Sequence, residues 1–451
     1  MERTTMFRNP YRPGAGHPPP YLAGREEERS EFLRLLDQEV VFSNLLLTGL
    51  RGVGKTVLLD TFKPLTLEKG WLWAGADLSE STTVAEDRLA IRILTDLAVV
   101  TSNFVYDHRE VRSPGFDRQA EVAEVALDFP TLRAAYDATR GLTADRLKGA
   151  LLFAWYALLR SPHPPRGVVF AYDEAQNMAD RAERDEFPLS VMLDVFQSVQ
   201  RQGVPFLLVL TGLPTLLPKL IQARTYTERM FRVLFLDRLD PADARDAIVR
   251  PVQKEGCPIT FTDESIRQVE RHSAGYPYFI QFICREAFDA LASSARAGVR
   301  DPRIPIDEIT AKLDSDFFAG RWSRVTDRQR DLLFVVSMLE SPGREFTVQE
   351  IVQSSKRLPV KGFSPSHASQ ILAALIDAGV VYRNRHGKYS FAVPLFAGFI
   401  RRQHDAGEEP PSDPVRAPSS RFEYRPPVFL SRREKAGRTG GSRTHREDQR
   451  P

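Results

Sequence analysis

The hydrophobic pattern divides the chain into an early part, in which strands alternate with helices, and a later part that is mostly helical. Two apolar runs, Val168 to Tyr172 and Phe206 to Leu210, contain no polar alternation. Such runs are typical of strands buried on both faces of a parallel sheet. Further strands are predicted at 43–48, 71–77 and 231–236. Helical spacing of apolar residues predicts helices at 26–38, 83–105, 129–139, 143–159 and 189–201. This alternation predicts an open α/β sheet with right-handed crossovers.

The strand pattern stops after residue 237, and helical spacing predicts three helices at 241–255, 262–273 and 278–294. Residues 297–306 are rich in Arg, Pro and Asp and resemble a linker. Residues 1–20 are Pro-rich and carry no helical period, so we expect an extended arm with nothing to pack. The predicted segments are an arm (1–20), an α/β domain (21–237), a helical lid (238–296) and a linker (297–325).

The segment at 326–402 has a pattern of its own. Three helices are predicted, one at 326–339, one beginning near residue 346 and one at 364–378. Thr347 and Glu350 are spaced as a capping box for the second helix. Residues 380–391 alternate around a turn at His386-Gly387, which predicts a hairpin. Three helices followed by a two-stranded wing predict a winged helix.

Composition changes this picture little. The chain has 451 residues, of which 42% are hydrophobic and 27% charged, as in ordinary globular proteins with two or three domains. No apolar stretch approaches the roughly 20 residues of a membrane span. Cys257 and Cys284 are the only cysteines, too few for a disulfide framework. We therefore expect a cytoplasmic protein without a membrane span.

The basic residues are concentrated at the C-terminus. From Pro414 to Pro451 ten Lys or Arg face four Asp or Glu, a net charge of +6, although the whole chain carries only +3. With few apolar residues to bury, 403–451 is predicted to be a disordered basic tail. It could contact nucleic acid or anionic lipid, or it could be a solvated terminus without a partner.

The clearest chemical motif is a phosphate-binding loop, Gly49-Leu50-Arg51-Gly52-Val53-Gly54-Lys55-Thr56, followed by Val57. It lies between a predicted strand and a predicted helix, which is the context that this G-x-x-x-x-G-K-[ST] pattern requires. The glycines allow backbone N–H groups to point at a phosphate, and the helix N-terminus adds partial positive charge. Lys55 is predicted to reach the β- and γ-phosphates, and the Thr56 hydroxyl to bind Mg²⁺. The motif predicts binding of a nucleoside triphosphate.

Polar residues follow the other predicted strands. Asp173 and Glu174 come directly after the run that ends at Tyr172. An acidic residue at the carboxyl end of a strand beside the phosphate loop can hold Mg²⁺. We predict Asp173 in that role, with Glu174 as the general base for water. Thr211 ends the next buried run and is predicted to touch the γ-phosphate or the water. Arg229, ahead of Arg224 and Arg232, is the candidate for an arginine that acts across a subunit interface in a homo-oligomer.

Gly24-Arg25, the phosphate loop, Asp173-Glu174, Thr211 and Gly275-Tyr276-Pro277 occur in that order. This order resembles the AAA+-like ATPases of the origin-recognition and archaeal-ATPase type, which grade into signal-transducing ATPases. The N-terminal stretch from Asn9 to Gly16 also looks like that of bacterial ATP-binding proteins. The resemblance covers about residues 10–402. It implies ATP as the nucleotide, Gly24 and Arg25 near the adenine, and contact from the lid through Gly275 and Pro277.

One departure from the family pattern bears on function. Origin-recognition ATPases usually carry an arginine in the lid motif after the glycine, whereas here the first arginine after Gly275 is Arg285. This favours a signal-transducing switch, driven by Mg²⁺-dependent ATP hydrolysis and acting on an unknown protein client. A DNA-binding regulator or loader is the alternative, and a small-molecule phosphotransferase a third class without a pocket motif of its own.

The winged helix leaves two roles open. If it binds DNA, the predicted helix 364–378 enters the major groove with Ser366, His367 and Gln370 near the bases. Wing residues would then meet phosphate, and the candidates are Arg383, Arg385 and Lys388. However, no Arg or Lys lies between Ser364 and Ala378, which weakens the electrostatic attraction that dominates DNA affinity. The pattern slightly favours a protein-only role, as a docking module or an autoinhibitory cover.

Overall fold

The structure is a computed structural model that describes residues 8–14, 16–111, 121–254, 257, 259–300, 302–339, 345–385 and 387–408. The strands are β1 (Asn44–Gly49), β2 (Leu72–Asp77), β3 (Val105–Val111), β4 (Glu121–Ala126), β5 (Val168–Asp173), β6 (Phe206–Gly212), β7 (Phe231–Leu236), β8 (Val381–Arg385) and β9 (Lys388–Phe391).

The helices of the first half are α1 (Glu26–Leu36), α2 (Lys55–Glu68), α3 (Glu80–Thr83), α4 (Glu86–Thr101), α5 (Phe129–Ala138), α6 (Thr143–Leu158), α7 (Pro188–Gln200), α8 (Leu216–Ala223) and α9 (Thr227–Met230). Those of the second half are α10 (Pro241–Lys254), α11 (Asp263–Ser273), α12 (Pro277–Arg296), α13 (Ile306–Leu313), α14 (Ala319–Trp322), α15 (Asp327–Ser337), α16 (Val348–Ser354), α17 (Pro365–Asp377) and α18 (Phe396–Glu408).

Five strands form one parallel sheet in the order β2-β5-β6-β1-β7. Strands β1, β5 and β6 are buried along their whole length, which explains their unbroken apolar sequences. Alternate side chains of these strands enter two cores. One core lies against α4, α6, α7 and α8, and the other against α1 and α2. The predicted α/β fold is confirmed.

The segment around the third strand differs from its prediction. The helix predicted at 83–105 is divided into α3 and α4, and β3 begins at Val105. Strands β3 and β4 pair antiparallel as a two-stranded sheet that the sequence analysis missed. The charged run Asp107-His108-Arg109-Glu110 lies in β3. A strand pair with little apolar sequence gives no buried-strand pattern to detect.

The N-terminal arm packs against the protein, contrary to the expectation for residues 1–20. Tyr11 is buried at 1% exposure, and its hydroxyl donates to the carbonyl of Ile248 in α10. Its ring lies edge-on to those of Phe261 and Phe288, with centroids 5.9 and 6.4 Å away. The backbone N–H of Arg12 donates to Oε1 of Gln281 at 3.1 Å. A single aromatic residue thus anchors a segment that has no helical period.

Residues 297–325 are also more ordered than the predicted linker. They contain α13, a π-helical turn (Asp314–Phe318) and α14. Phe318 is fully buried, so the segment belongs to the core of the protein. Its ring packs 5.2 Å from that of Phe399 in α18. Rings of α12, the π-helical turn and α18 are connected through such contacts, and we call this group the aromatic seam. It consists of Tyr278, Phe279, Phe317, Phe318, Phe396 and Phe399.

The C-terminal unit (326–408) contains α15, α16, α17, the antiparallel β8–β9 hairpin and α18. This is the predicted order of three helices and a wing, and the assignment as a winged helix stays a prediction. Phe346, placed in the second helix by the sequence, instead forms an antiparallel bridge to Tyr389. Residues 403–408 of the predicted tail belong to α18, where the His404 ring stacks on Phe334 with centroids 3.8 Å apart. The rest of that tail lies outside the described residues.

Across the described ranges, no helix is both long and apolar enough to cross a membrane.

Candidate nucleotide-binding site

The predicted phosphate loop joins β1 to α2, and its backbone is shaped by glycine. Gly52 and Gly54 have φ values of +82° and +91°, a region that side-chain-bearing residues rarely adopt. A Cβ atom at Gly54 would meet nothing within 4 Å. The loop therefore curls around open space, and Gly54 serves as the residue before the first turn of α2. This is the geometry with which loop N–H groups and a helix N-terminus bind an anion.

Lys55 lies against the inside of this loop. Its Nζ donates to the carbonyls of Gly49 and Leu50, each at 3.0 Å, and the residue is 8% exposed. Burial lowers the pKa of Lys55, while Asp173 and Glu174 act in the opposite direction. An anion bound in the loop would favour the charged ammonium further.

Arg25 forms hydrogen bonds to the backbone of the phosphate loop. Its Nη2 donates to the carbonyl of Val53 at 3.1 Å and to that of Asp237 at 2.8 Å, and its Nη1 pairs with Glu28 at 3.1 Å. The side chain is buried. The guanidinium therefore ties the phosphate loop to the end of β7, a positional role beside the adenine contact that the resemblance implies.

Asp173 is the centre of a hydrogen-bonded cluster at the carboxyl ends of the strands. It is 3% exposed and accepts from the hydroxyls of Thr56 and Thr211. It also accepts from the N–H of Glu174 at 2.7 Å. Strand β5, which carries Asp173, is not next to β1, because β6 lies between them. Thr211 on β6 fills this intermediate position and bridges toward the carboxylate.

The cluster fits a magnesium ion. The Thr56 hydroxyl and the Asp173 carboxylate present two hard oxygen atoms side by side at the edge of the phosphate loop. Mg²⁺ is usually bound by one or two such protein groups, with substrate phosphates and water as further ligands. Within the described ranges there is no group of three or more His, Cys, Asp or Glu residues that could hold a metal ion without such help.

Glu174 has a strained backbone next to this cluster. Its φ of +52° is unusual for a residue with a side chain. Its carboxylate is exposed and accepts from Nε2 of Gln176. The Oε1 of Gln176 in turn accepts from the N–H of Leu213 at 3.0 Å. The strained turn directs Glu174 toward the cavity described next, while Gln176 fixes it to the end of β6.

A cavity of about 300 Å³ lies over the phosphate loop. Every residue from Arg51 to Val57 lines it, as do Glu174, Arg25 and Pro277. Its other end is lined by the N-terminal arm and the first helix of the lid, through residues that the sequence analysis did not assign, namely Pro13, His17, Tyr21, Leu22 and Ala247. The Pro- and Tyr-containing stretch before Gly24 was the available signal. This cavity has a polar end for phosphates and an end with more apolar groups for a base.

Other predicted residues lie outside the cavity. Thr211 is fully buried and its hydroxyl is directed to Asp173, so it can position the carboxylate but does not face a phosphate directly. Gly275 accepts from the N–H of Leu239 at 2.9 Å and holds the turn between α11 and α12. Gly24 lies beside the side chain of Asp243. The lid contacts the loop through Tyr278, whose N–H donates to the carbonyl of Gly52 at 3.1 Å.

The arginines near β7 have different surroundings. Arg224 forms an ion pair with Asp194 at 2.6 Å, and Arg232 one with Glu31 at 2.8 Å. Arg229 is exposed on α9 and does not line the cavity. Its action across a subunit interface stays a prediction. The cavity contains a different arginine, Arg321 of α14, which the sequence analysis missed because it lies within the predicted linker.

Comparison with protein families agrees with this geometry, since residues 21–221 match the AAA ATPase domain family. These residues form an AAA ATPase domain. Residues 315–400 match a second family, Domain of unknown function (DUF8462). The two matches leave residues 222–314 between them, which include β7 and the lid helices α10, α11 and α12. No curated protein matches the chain.

Several solved structures are similar to this chain. The Walker-type ATPase of Pyrococcus abyssi is 15% identical, with a TM-score of 0.51 over 84% of this chain and 96% of that one. The Aeropyrum pernix ORC2 protein in its ADP form is 15% identical, with a TM-score of 0.48 over 88% and 97%. The Aeropyrum pernix ORC1 protein in complex with DNA is 16% identical, with a TM-score of 0.41 over 86% and 95%. At these identities, the likeness to the Pyrococcus protein shows the fold alone.

Proposed function

We propose that this protein is a Mg²⁺-dependent ATPase that works as a conformational switch. The observation that carries the proposal is the convergence of four groups at one edge of the sheet. The phosphate loop with its Thr56 hydroxyl, and the Asp173 carboxylate with the neighbouring Glu174, come from two separate segments of the chain and meet beside one cavity. Structural packing alone does not require a strained glutamate, a buried lysine and a buried carboxylate at the same place.

Each group has a role that follows from its position. The loop N–H groups and Lys55 bind the β- and γ-phosphates, and Arg25 holds the loop in shape. Thr56 and Asp173 would hold Mg²⁺, which screens the charge on the phosphates. Thr211 keeps the Asp173 carboxylate in place, and Glu174 accepts a proton from the attacking water. Release of Glu174 from Gln176 would place the carboxylate for this step, so that hydrolysis is slow and controlled.

The base is proposed to be adenine, on the basis of the resemblance to AAA+-like ATPases. The chain has no Asn-Lys-x-Asp guanine signature. The base would lie between the arm and α10, near Tyr21, Leu22 and Ala247.

A protein client is favoured over DNA as the partner of the C-terminal unit. Helix α17 exposes Ser366, His367 and Gln370, and no basic residue lies between Ser364 and Ala378. Such a face can form hydrogen bonds but lacks the positive charge that supplies most DNA affinity. ATP binding would then change how this face is presented.

The proposal is tested by comparing nucleotide binding with hydrolysis in two variants. Lys55→Met should weaken ATP affinity about 10- to 100-fold, because it removes a charged hydrogen-bond donor from the phosphates. Glu174→Gln should bind ATP as the wild type does, yet lower kcat by roughly 10²- to 10⁴-fold, because the general base is lost. Binding is measured by calorimetry with Mg²⁺-ATP, and hydrolysis by phosphate release.

The matched control is Lys63→Met, which removes an exposed lysine from the same helix and should change neither quantity. If Lys55→Met bound ATP with wild-type affinity, the assignment of the phosphate loop would be wrong. Undiminished turnover in Glu174→Gln would remove Glu174 as the base without affecting the binding site.

A further inference from the structure

The nucleotide cavity contains a cation that does not belong to the AAA ATPase domain. Arg321 lines the cavity together with Arg51 and Lys55. The domain match ends at residue 221, whereas Arg321 lies in the family of unknown function that covers residues 315–400. Part of the wall around the phosphate loop is therefore supplied by the region that leads into the C-terminal unit.

The position of Arg321 is fixed by contacts that lead back to the loop. Its Nη1 donates to the carbonyl of Phe317 at 2.5 Å, and its guanidinium lies 4.5 Å from the centre of the Phe317 ring. The Phe317 ring packs on that of Tyr278, with centroids 4.9 Å apart. The N–H of Tyr278 donates to the carbonyl of Gly52. The guanidinium is thus held relative to the loop on an aromatic support rather than by an acidic side chain.

Arg321 and Arg51 form a pair of like charges. Burial, followed by the positive charge of Arg51, lowers the pKa of Arg321. Within the described part of the chain, neither arginine forms an ion pair with a carboxylate. Two cations that face one cavity and form no ion pair repel each other. An anion with several acceptor oxygens would remove that repulsion and use the free donors of both guanidinium groups.

The triphosphate of the proposed function contains such an anion. In loops of this kind the N–H groups cradle the inner phosphates, and the lysine reaches the β- and γ-phosphates. The terminal phosphate carries the largest charge and has three outer oxygen atoms, so it can accept from the two arginines as well as from Lys55. We propose that Arg321 binds the terminal phosphate opposite Arg51, so that the residues around α14 distinguish ATP from ADP. This inference rests on the proposed function, since it assumes that the cavity holds a nucleotide.

The surroundings of Arg321 provide a route from the phosphate to the C-terminal unit. Phe317 and Phe318 occupy the π-helical turn directly before α14. Phe318 packs against Phe396 and Phe399 of α18, with centroids 5.7 and 5.2 Å away. A shift of Arg321 toward a phosphate would therefore move residues that are packed on α18. Arg51 lies close to the same unit at another point, because a Cβ atom added at Gly379 would be 3.4 Å from its Nη2.

The test measures the affinity of full-length protein for AMP-PNP and for ADP, each with Mg²⁺, by calorimetry. Arg321→Ala should weaken AMP-PNP binding about 10- to 100-fold, as expected for the loss of charged hydrogen bonds, and change ADP binding less than about threefold. Arg321→Lys should recover part of the AMP-PNP affinity, because it keeps the charge. Arg324→Ala, which removes a nearby exposed arginine that does not line the cavity, should behave as the wild type.

The possible outcomes separate this inference from the function on which it rests. If Arg321→Ala binds AMP-PNP as tightly as the wild type, Arg321 does not bind the terminal phosphate, while nucleotide binding by the wild type still stands. An equal loss for both nucleotides, in a variant with the wild-type circular dichroism spectrum, would also overturn the inference, because the role would be structural. Failure of the wild type itself to bind either nucleotide would instead contradict the proposed function.

Discussion

The strand ends of the sheet and the aromatic seam are both buried, yet they are held together in different ways. At the strand ends, hydrogen bonds to Asp173 connect residues from α2, β5 and β6. In the seam, rings from α12, the π-helical turn and α18 pack with centroids 5 to 6 Å apart. Hydrogen bonds fix individual atoms, whereas aromatic rings attract one another in more than one arrangement, either offset-stacked or edge-to-face. The hydrogen-bonded cluster is therefore suited to holding catalytic groups in place, and the packed rings are suited to a change in helix position.

Because of this difference, the two regions would contribute different structural changes to a switch. A change at Asp173 alters the orientation of a few oxygen atoms. A change at Phe317 or Phe318 alters the position of a helix, because these rings connect the lid to α18. Arg321 lines the cavity and packs on Phe317 of the seam, so in the proposed switch a charge change in the cavity would reach the C-terminal unit through it.

The largest expected effect comes from removing a ring in each region. Phe318→Ala and Phe170→Ala should each lower the free energy of unfolding by about 3–5 kcal/mol, because both side chains are fully buried. The two variants should lose protection from hydrogen exchange in different parts of the protein, as followed by mass spectrometry. Phe318→Ala should reduce protection in α12 and α18, whereas Phe170→Ala should reduce it in β5 and β6.

Equal loss of protection across the whole protein in both variants would contradict the comparison, since the two regions would then unfold as one. Phe318→Leu provides a milder variant of the same position, which retains an apolar side chain and should lose less stability.

A smaller effect is expected at the strand ends. Thr211→Val keeps the shape of the side chain but removes the hydroxyl that donates to Asp173. Loss of a hydrogen bond to a charged group should lower the free energy of unfolding by about 1.5–3 kcal/mol. ATP turnover should also fall, because the carboxylate is less well positioned. Chemical denaturation and phosphate release measure the two effects.

Thr48 on β1 offers the matched control for this substitution. It is also fully buried, and among the described residues its hydroxyl has no hydrogen-bond partner. Thr48→Val should therefore be neutral or slightly stabilising. If the two variants lost equal stability, the contact between Thr211 and Asp173 would contribute nothing specific.

The smallest loss of stability is expected from removing a helix cap in the C-terminal unit, and it should not affect nucleotide binding. Thr347 accepts from the N–H of Glu350 at 3.2 Å and caps α16, while Glu350 accepts from the N–H of Thr347 at 2.6 Å. Thr347→Ala should cost about 1 kcal/mol, and Thr347→Ser should cost less because it keeps the cap. Thermal unfolding reports the change, and nucleotide affinity should stay at the wild-type value. A loss of affinity would show that capping of α16 influences the phosphate loop.

The sequence predicted the sheet well because the relevant signals are local. An unbroken apolar run is enough to predict β5, and the residues after it are enough to single out Asp173 and Glu174. The contact between Thr211 and Asp173 could not be predicted without the strand order, because it depends on β6 lying between β1 and β5. The roles assigned to these site residues stay predictions.

The aromatic seam and Arg321 could not be predicted in the same way. Phe318 and Phe399 are far apart in the chain, and no sequence pattern around either residue indicates that their rings are in contact. Tyr11 is a similar case, since one ring in a Pro-rich segment gives no periodicity. Local patterns predict helices and strands, but long-range packing depends on how those elements fit together.

The attachment of the N-terminal arm restricts how the nucleotide pocket can open. Tyr11 and Arg12 are fastened to α10 and α12, while Arg25 is fastened to the phosphate loop and the end of β7. The short stretch of chain between these two attachments runs along the base end of the pocket. An outward swing of the lid would pull on this stretch, so in the proposed function the entry of the nucleotide base is coupled to motion of the lid.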